Sequence, residues 1–169
     1  SYDTSGTSQL VWAQNLSGKY LTFNLMDELY GINVDRILQI IAIPEITPIP
    51  KTPDFVKGVI NLRGKIIPVI DLRKKFRLPS NEYNDRTSIV IIKLATEGSE
   101  LFIGTIVDKV LEVMDISQQD IENTPKFGVR LDTDYISGMA KVKGKVITLL
   151  NINKVLTEEE LTLLETNKE

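Results

Sequence analysis

The sequence contains an internal duplication, which constrains its fold more than any other feature. Residues 55–74, FVKGVINLRGKIIPVIDLRK, align with residues 135–154, YISGMAKVKGKVITLLNINK, with five identities in 20 positions. Upstream, residues 31–40 align with residues 104–113. The offset rises from 73 to 80 between the two blocks, so the second half carries about seven extra residues within 117–133. A unit of about 75 residues that occurs twice is too long for a solenoid repeat and indicates two related small domains.

The residues of each repeat favour β structure. The chain has 21 Ile and 13 Val against four Ala, and β-branched side chains pack well on a pleated surface, whereas a helical bundle would use more Ala. Residues 19–25, KYLTFNL, alternate between the two faces of a strand. A turn at Arg63-Gly64 joins residues 58–63 and 65–72 into a hairpin, because Gly64 can adopt a positive φ. Since each half is small for a core of its own, we predict two small β-barrels that share a hydrophobic seam.

Composition and turn signals also predict the boundaries of these units. The first residues are polar and rich in Ser and Thr, residues 78–85 (LPSNEYND) have the character of a linker, and Thr157 with Glu160 forms a capping box that begins a helix. The predicted organisation is a flexible tail over 1–15, a first barrel over about 16–80, a linker over 78–86, a second barrel over about 87–156, and a C-terminal helix and tail over 157–169.

The composition argues against most enzymatic and ligand-binding classes. The chain has no Cys and no His, which removes thiolate ligands, cysteine nucleophiles, and the commonest general base and metal ligand. There is no phosphate-binding loop, and a net charge of −3 does not favour nucleic acid. The longest apolar runs are four residues and no apolar leader opens the sequence. We therefore expect no catalytic activity, cofactor, metal, nucleic-acid partner or membrane insertion.

Three candidate sites for chemistry remain, and each has a simpler structural interpretation. Asp35 and Asp108 occupy equivalent repeat positions, where a role at a strand end or turn is favoured over a catalytic pair. The motif Asp132-Thr133-Asp134 has too few ligands for calcium. Arg63-Gly64-Lys65 is a turn and not a phosphate cradle.

The remaining feature is a segment that resembles an interaction surface. Ile41, Ile43, Ile46 and Ile49 cluster around three prolines in residues 44–50, a stretch that cannot run through the centre of a sheet. Because loops lie at the surface, these isoleucines either form an exposed patch for a protein partner or plug the end of their own barrel. The sequence leaves both alternatives open.

Several motifs together resemble the CheW-like domains, the family of bacterial chemotaxis adaptors. The strongest is residues 58–73, GVINLRGKIIPVIDLR. Supporting matches are Tyr30-Gly31-Ile32, the lead-in at 52–55, Tyr83-Asn84-Asp85, and residues 151–156. The resemblance extends from about residue 19 to residue 164, which is nearly the whole chain.

The resemblance implies two five-stranded SH3-like barrels and a non-enzymatic coupling function. It implies a cytoplasmic protein, a monomer when isolated, that is recruited to receptor arrays at the inner face of the membrane. Its partners would be the regulatory domain of the histidine kinase CheA and the cytoplasmic tip of methyl-accepting chemoreceptors. The positions that match the receptor-binding surface are Val34, Ile37, Gln39, Gly58, Arg63 and Val110. Those that match the kinase-binding surface are Ile41, Ile43, Glu45 and Ile46.

One position departs from the family pattern. The family often carries an acidic residue where this chain has Gln39. Arg63 can still donate a hydrogen bond to the amide oxygen of Gln39, but the charge-assisted bond to a carboxylate is lost. Two alternatives to a stand-alone adaptor stay open. One is the CheW-like regulatory portion of a larger signalling protein. The other is an oligonucleotide-binding barrel, which would predict basic strand faces with stacking aromatics, whereas only 7% of the residues here are aromatic.

Overall fold

The computed structural model describes residues 13–96, 99–122 and 134–166. Within them the chain forms strands, a helical turn over residues 13–16 and two further helices, joined by short 3₁₀ turns at Val34–Arg36, Gln118–Asp120 and Ile152–Lys154. The helices are α1 (Leu72–Lys75) and α2 (Glu158–Thr166). The strands are β1 (Gly18–Leu25), β2 (Glu28–Asn33), β3 (Ile37–Ala42), β4 (Val56–Leu62), β5 (Lys65–Asp71), β6 (Ser88–Thr96), β7 (Ser99–Val107), β8 (Lys109–Ile116), β9 (Ile121–Glu122), β10 (Ile136–Val142) and β11 (Lys145–Leu150).

The strands form two sheets, which confirms the predicted mainly-β class. The five-stranded sheet has the order β3-β6-β7-β5-β4, and the six-stranded sheet has the order β8-β1-β2-β11-β10-β9. Most neighbours are antiparallel, but β5 pairs with β7 and β2 pairs with β11 in parallel. These two parallel pairs occupy equivalent repeat positions, so the duplication in the sequence is also a duplication in topology.

The two sheets do not correspond to the two halves of the chain, and here the predicted contiguous barrels are wrong. Strands β1 and β2 belong to the first half, yet they pair with β8 and β11 of the second. Reciprocally, β6 and β7 of the second half pair with β3 and β5 of the first. The physical reason lies in the short connections after β2 and β7, at residues 34–36 and at Asp108, which carry each repeat from one sheet into the other. Each sheet is therefore completed by the opposite repeat.

Among the described residues, three hydrophobic clusters hold this arrangement together. One lies within the five-stranded sheet and includes Ile60, Ile89 and Ile106, and another lies within the six-stranded sheet and includes Tyr20 and Ile147. The largest lies between the sheets. It joins, among others, residues of β1, β6 and β7 to residues near α1 and α2. This cluster confirms the predicted shared seam, and burial of its apolar surface is the main force that holds the two sheets together.

A row of aromatic rings crosses this seam. Phe23 stacks on Tyr30 at 5.9 Å between ring centroids, Tyr30 lies 5.9 Å from Phe76, and Phe76 stacks on Tyr135 at 4.4 Å. Burial, together with the charge of Glu28, raises the pKa of Tyr30 to about 12. The row connects β1 and β2 to the turn that follows α1 and to the start of β10, and offset aromatic pairs add to the stability that area burial provides.

Helical structure is present closer to the N-terminus than predicted, and the C-terminal helix begins where the capping box predicts. Residues 13–16 form a helical turn with Ala13 buried, so the predicted tail is wrong over 13–15. At α2 the capping box is confirmed. Thr157 N–H donates to Glu160 Oε1 at 2.8 Å, and Glu160 N–H donates to Thr157 Oγ1 at 3.1 Å. Residues 1–12, 97–98, 123–133 and 167–169 lie outside the described residues, and with them most of the Asp132-Thr133-Asp134 motif.

The predicted linker is irregular in structure but is fixed to the body of the protein. The hydroxyl of Tyr83 donates to Asp71 Oδ2 at 2.7 Å, and Lys57 lies over the ring of Tyr83. Arg73 donates from Nη1 to the Pro79 carbonyl at 3.0 Å. These contacts hold the connection between the halves against β5 and α1, which explains how an irregular segment keeps a defined path.

Candidate partner-binding site

The two equivalent aspartates have different environments and do not form a pair. Arg73 donates to both carboxylate oxygens of Asp108, with Nε–Oδ1 at 2.7 Å, and the N–H of Met26 donates to Oδ2. This bonding to Asp108 raises the pKa of Arg73 above its ordinary value. Asp35 is exposed, and its N–H donates to Asn33 Oδ1 in a 3₁₀ turn. The structure therefore places Asp108 in an ion pair between the sheets and Asp35 at a strand connection.

The described part of the chain offers no cluster of three or more His, Cys, Asp or Glu side chains suited to a metal ion. Nor does any helix within it have the length and apolar character needed to cross a bilayer. The candidate binding site therefore lies on a concave surface of the protein.

One groove, with a volume of about 570 Å³, gathers residues from three different segments. We call it the β3–β5 groove. Its walls come from β3, from both strands of the β4–β5 hairpin, and from β7. Strand exchange supplies the last of these, because β7 belongs to the second repeat. The groove is lined by Leu38, Gln39, Leu62, Arg63, Lys65, Ile67 and Phe102.

Arg63 is held at the rim of this groove by the geometry of its turn. Arg63 and Gly64 both have positive φ, at 52° and 86°, as a two-residue type I′ hairpin requires. Asn61 Oδ1 accepts from the Gly64 N–H at 2.8 Å and fixes the turn. The repeat-equivalent Lys143 and Gly144 have nearly the same angles, 52° and 80°. The predicted hairpin is thus confirmed, an equivalent hairpin is present in the second repeat, and Arg63 is exposed at the tip of the first.

The groove combines an apolar floor with uncompensated positive charge. Ile67 is buried, and Leu62 and Phe102 pack against the core of the five-stranded sheet. Lys65 Nζ lies 5.5 Å from the centre of the Phe102 ring, within the range of a cation–π contact. The lining contains two cationic side chains and no carboxylate. An apolar surface with donors at its rim has the properties of a protein-binding site.

The structure divides the residues predicted for the receptor surface into groups. Gln39 and Arg63 lie together in the β3–β5 groove. Val34, Ile37 and Val110 are half-buried and pack against the seam between the sheets. A β-bulge between Ile37 and Gln39 separates the two groups along β3.

Gly58 belongs to neither group, because it is buried beneath the proline-rich segment. A Cβ atom at this position would lie 2.1 Å from the carbonyl oxygen of Thr47 and 2.9 Å from Pro48. Its φ of 142° is also one that other residues rarely adopt. We therefore assign Gly58 the structural role of letting this segment approach β4, where Thr47 forms a bridge with Val59.

Of the residues predicted for the kinase surface, the three isoleucines face the core. Ile41, Ile43 and Ile46 are half-buried and pack against the cluster within the five-stranded sheet. Glu45 is exposed between them. Of the two alternatives, the packing favours isoleucines that close the end of their own sheet, with only their outer edges available to a partner.

Sequence reasoning missed the most exposed apolar side chains. Leu38, Ile40 and Ile66 are 55%, 42% and 39% exposed, and their repeat equivalents Leu111, Val113 and Val146 are 39%, 54% and 49% exposed. Every second residue of β3 is exposed. Leu38 and Ile40 lie on the same face of this strand, so the period of two could have predicted that both are exposed. Lys65 and Phe102 were also missed, and Phe102 had no signal because strand exchange brings it to the groove.

The fold and the groove define a class: a duplicated, two-sheet β protein whose candidate site is a surface for binding another protein. Within that class the chain belongs to the CheW-like domain family, whose model matches residues 19–160. It is 34% identical to the chemotaxis protein CheW of Klebsiella aerogenes over 152 residues, which are 90% of this chain and 89% of the relative. It is also 34% identical to CheW of Bacillus subtilis, with coverage of 83% and 88%.

A solved structure agrees with this assignment. The scaffolding protein TtCheW from Thermoanaerobacter tengcongensis superposes with a TM-score of 0.75 at 35% identity, covering 86% of this chain and 91% of that one. The chain is therefore a chemotaxis adaptor or scaffold protein by family, and the comparisons indicate no enzymatic family.

Proposed function

We propose that this protein couples transmembrane methyl-accepting chemoreceptors to the regulatory domain of the histidine kinase CheA. In this role it binds the cytoplasmic tip of the receptor and the kinase at separate surfaces, and it does so without catalysis, cofactor or metal. It would act in the cytoplasm, as a monomer until it is recruited to receptor arrays at the inner face of the membrane.

The observation that carries the receptor assignment is the exposed Arg63 at the rim of an apolar groove. A guanidinium presents several donors in a planar fork, which suits carboxylates and carbonyl groups at the turn of a helical hairpin. The second repeat has Lys143 at the same backbone position, and an ammonium group lacks that fork. The receptor surface would extend along β3 towards the half-buried Val34, Ile37 and Val110.

The kinase surface would lie at the outer edge of the five-stranded sheet. Strand β3 is at the end of that sheet and exposes Ile40, while Glu45 is exposed in the following segment. The outer edges of Ile41, Ile43 and Ile46 would contribute to this surface while their bodies support it from the core. An apolar patch beside a polar rim is typical of a specific protein interface.

The test is a charge reversal at the receptor surface with a matched control in the other repeat. Arg63→Glu should reduce co-sedimentation with receptor-containing membranes at least tenfold, because the reversal adds repulsion to the loss of contacts. Lys143→Glu should change it less than twofold. Both variants should melt close to wild type, since exposed substitutions change stability by about 0.5 kcal/mol, and both should still bind the kinase.

Two results would contradict this function. One is a wild-type protein that fails to sediment with receptor membranes in the presence of the kinase. The other is an Arg63→Glu protein that assembles with receptors as well as the wild type does. An Arg63→Glu protein that melted much earlier would instead assign this residue to stability.

A second candidate function is that of the CheW-like portion of a larger signalling protein. The observation in its favour is a match to the chemotaxis protein CheV3 of Helicobacter pylori, 29% identical over 79% of this chain but only 42% of that protein. Mass measurement of the protein in its native cells distinguishes the two, because a stand-alone adaptor should run near 19.0 kDa.

A further inference from the structure

The charges of the β3–β5 groove differ between the two repeats in a way that bears on what the groove binds. In the first repeat the groove is lined by Gln39, Arg63 and Lys65. The equivalent positions of the second repeat are Glu112, Lys143 and Lys145. Both repeats therefore keep two cations, but only the second has a carboxylate, Glu112, at the position equivalent to Gln39.

In the first repeat, no carboxylate compensates these cations among the described residues. The ion pairs among the described residues are Arg73–Asp108, Lys75–Glu160 and Lys93–Glu100. None of them includes Arg63 or Lys65. Lys65 lies over the face of Phe102, an apolar ring that supplies no full negative charge. Two like charges on one rim repel each other, and an incoming carboxylate relieves that repulsion.

We propose that the groove selects a protein segment that carries an acidic side chain next to an apolar one. The carboxylate lies between Arg63 and Lys65, and the apolar side chain lies on Phe102, Leu62 and Ile67. Gln39 is the specificity-determining residue. Its uncharged amide does not neutralise Arg63 and Lys65, so both can bind the partner's carboxylate, whereas a carboxylate at residue 39 would neutralise them. This inference rests on the proposed function in one respect only, that the segment belongs to the receptor tip.

The apolar part of the selection depends on strand exchange. Phe102 comes from β7 of the second repeat, and its repeat equivalent, Leu29, has no aromatic face for a lysine. Phe102 both orients Lys65 and offers a flat apolar surface, so the charge and the hydrophobic contact lie side by side. A partner segment with only the acidic side chain, or only the apolar one, would make only one of these two contacts.

Gln39→Glu is the most informative variant, because its expected effect is opposite to that of a simple ion-pair restoration. A glutamate at residue 39 would compete with the partner carboxylate for Arg63 and Lys65. We expect Gln39→Glu to weaken co-sedimentation with vesicles that carry a full-length chemoreceptor by about tenfold and to flatten its dependence on salt. Its melting temperature should equal or exceed that of the wild type, so loss of binding is not loss of fold.

Matched substitutions in the two repeats provide the control. Lys65→Gln should weaken receptor binding several-fold and reduce its salt dependence, while the equivalent Lys145→Gln should stay within twofold of wild type. Phe102→Leu, which keeps the apolar contact but removes the aromatic face, should lie between wild type and Lys65→Gln. Kinase binding should persist in all of these proteins.

Several results would overturn the proposal. They are a Gln39→Glu protein that binds receptor vesicles as well as or better than wild type, equal losses from Lys65→Gln and Lys145→Gln, or a wild-type interaction that does not respond to salt. A loss of kinase binding without a loss of receptor binding would show that the occupant is wrong. If wild type did not bind receptor vesicles at all, the proposed function would fail too, whereas the other results leave it standing.

Discussion

Arg63 and Lys143 hold a backbone conformation that suits neither residue. Both have a φ of 52°, in the left-handed region that Gly and Asn tolerate best. Such a residue costs about 1 kcal/mol or more, and it persists where its side chain has a function or where the fold imposes the turn. Asn followed by Gly is the preferred pair for this type of turn.

We therefore predict that Arg63→Asn stabilises the protein while it weakens receptor binding. Chemical denaturation should show a gain of about 1 kcal/mol in the free energy of unfolding, because Asn relieves the strained φ. Lys143→Asn should give a similar gain with receptor binding intact. A loss of stability in both variants would mean that the long side chains support the turns, contrary to this account.

Tyr83 should make the free energy of unfolding depend on pH in the alkaline range. Tyr83 is partly buried, which raises its pKa above the ordinary value of about 10, and so do its hydrogen bond to Asp71 and the charge of that carboxylate. The phenol is then protonated in the folded state at a pH where the unfolded chain has already lost the proton. The contribution of Tyr83 is complete below about pH 10 and is lost as the pH rises towards the folded pKa.

Replacement of Tyr83 by Phe should reduce this dependence. The free energy of unfolding of Tyr83→Phe should fall by about 1 kcal/mol or less at neutral pH, through loss of the hydrogen bond to Asp71. Above pH 10 its decline with pH should be shallower than that of wild type, with Tyr30 supplying part of the remaining slope. Identical slopes in the two proteins would exclude Tyr83 as the source.

At the scale of elements, the segment from β3 through residue 50 places its apolar side chains in two directions. Ile40 is 42% exposed, whereas Ile43 is half-buried against the core of the five-stranded sheet. The same polar substitution should therefore have different consequences at the two positions, although they are three residues apart and have the same side chain.

We expect Ile43→Asp to lower the free energy of unfolding by about 2–3 kcal/mol, because it brings a charge into an apolar environment. Ile40→Asp should change it by about 0.5 kcal/mol and should weaken kinase binding instead. Denaturant melts and kinase pull-downs on both variants test this. Equal destabilisation by the two changes would be inconsistent with the exposure of Ile40.

These elements also show what a sequence makes predictable. Alternation, the Arg63-Gly64 pair and the Thr157–Glu160 box depend on residues close together in the chain, so strand positions, hairpin and helix start were predictable within a few residues. The burial of Gly58 depends on Thr47, eleven positions away and in an irregular segment. The family resemblance indicated the surface residues, but only packing separates those that face out from those that face in.

At the scale of the whole molecule, the exchange of strands was beyond the reach of the sequence. A repeat reveals that two units are alike but not whether each completes itself or its neighbour, because both arrangements bury the same side chains. Val34–Arg36 and Asp108 decide between them by directing the chain across the seam. The location of Phe102 in the groove of the other repeat follows from that same decision.

After cleavage of the chain within its linker, the two fragments should remain associated. With a protease site placed within residues 79–82, cleavage should leave the two fragments together as one species of about 19.0 kDa, because β1 and β2 stay paired with β8 and β11. Unfolding of the cut protein should become concentration-dependent, since the fragments lose the effective concentration that the linker provides. Separation of the fragments in native buffer would contradict the exchange. The uncut protein with the same site is the control.

The exchange also sets an order of events during synthesis. Strands β1 and β2 leave the ribosome before the other strands. The partner of β2, strand β11, follows only at Lys145, and the partner of β1, strand β8, begins at Lys109, about 75 residues after β2 ends at Asn33. At the usual rate of about 5–20 residues per second, the first hairpin waits about 4–15 s for it. During this interval its unpaired edges are open to other nascent chains. The hairpin made first is therefore completed last, and a holding chaperone would act on it most usefully in those seconds.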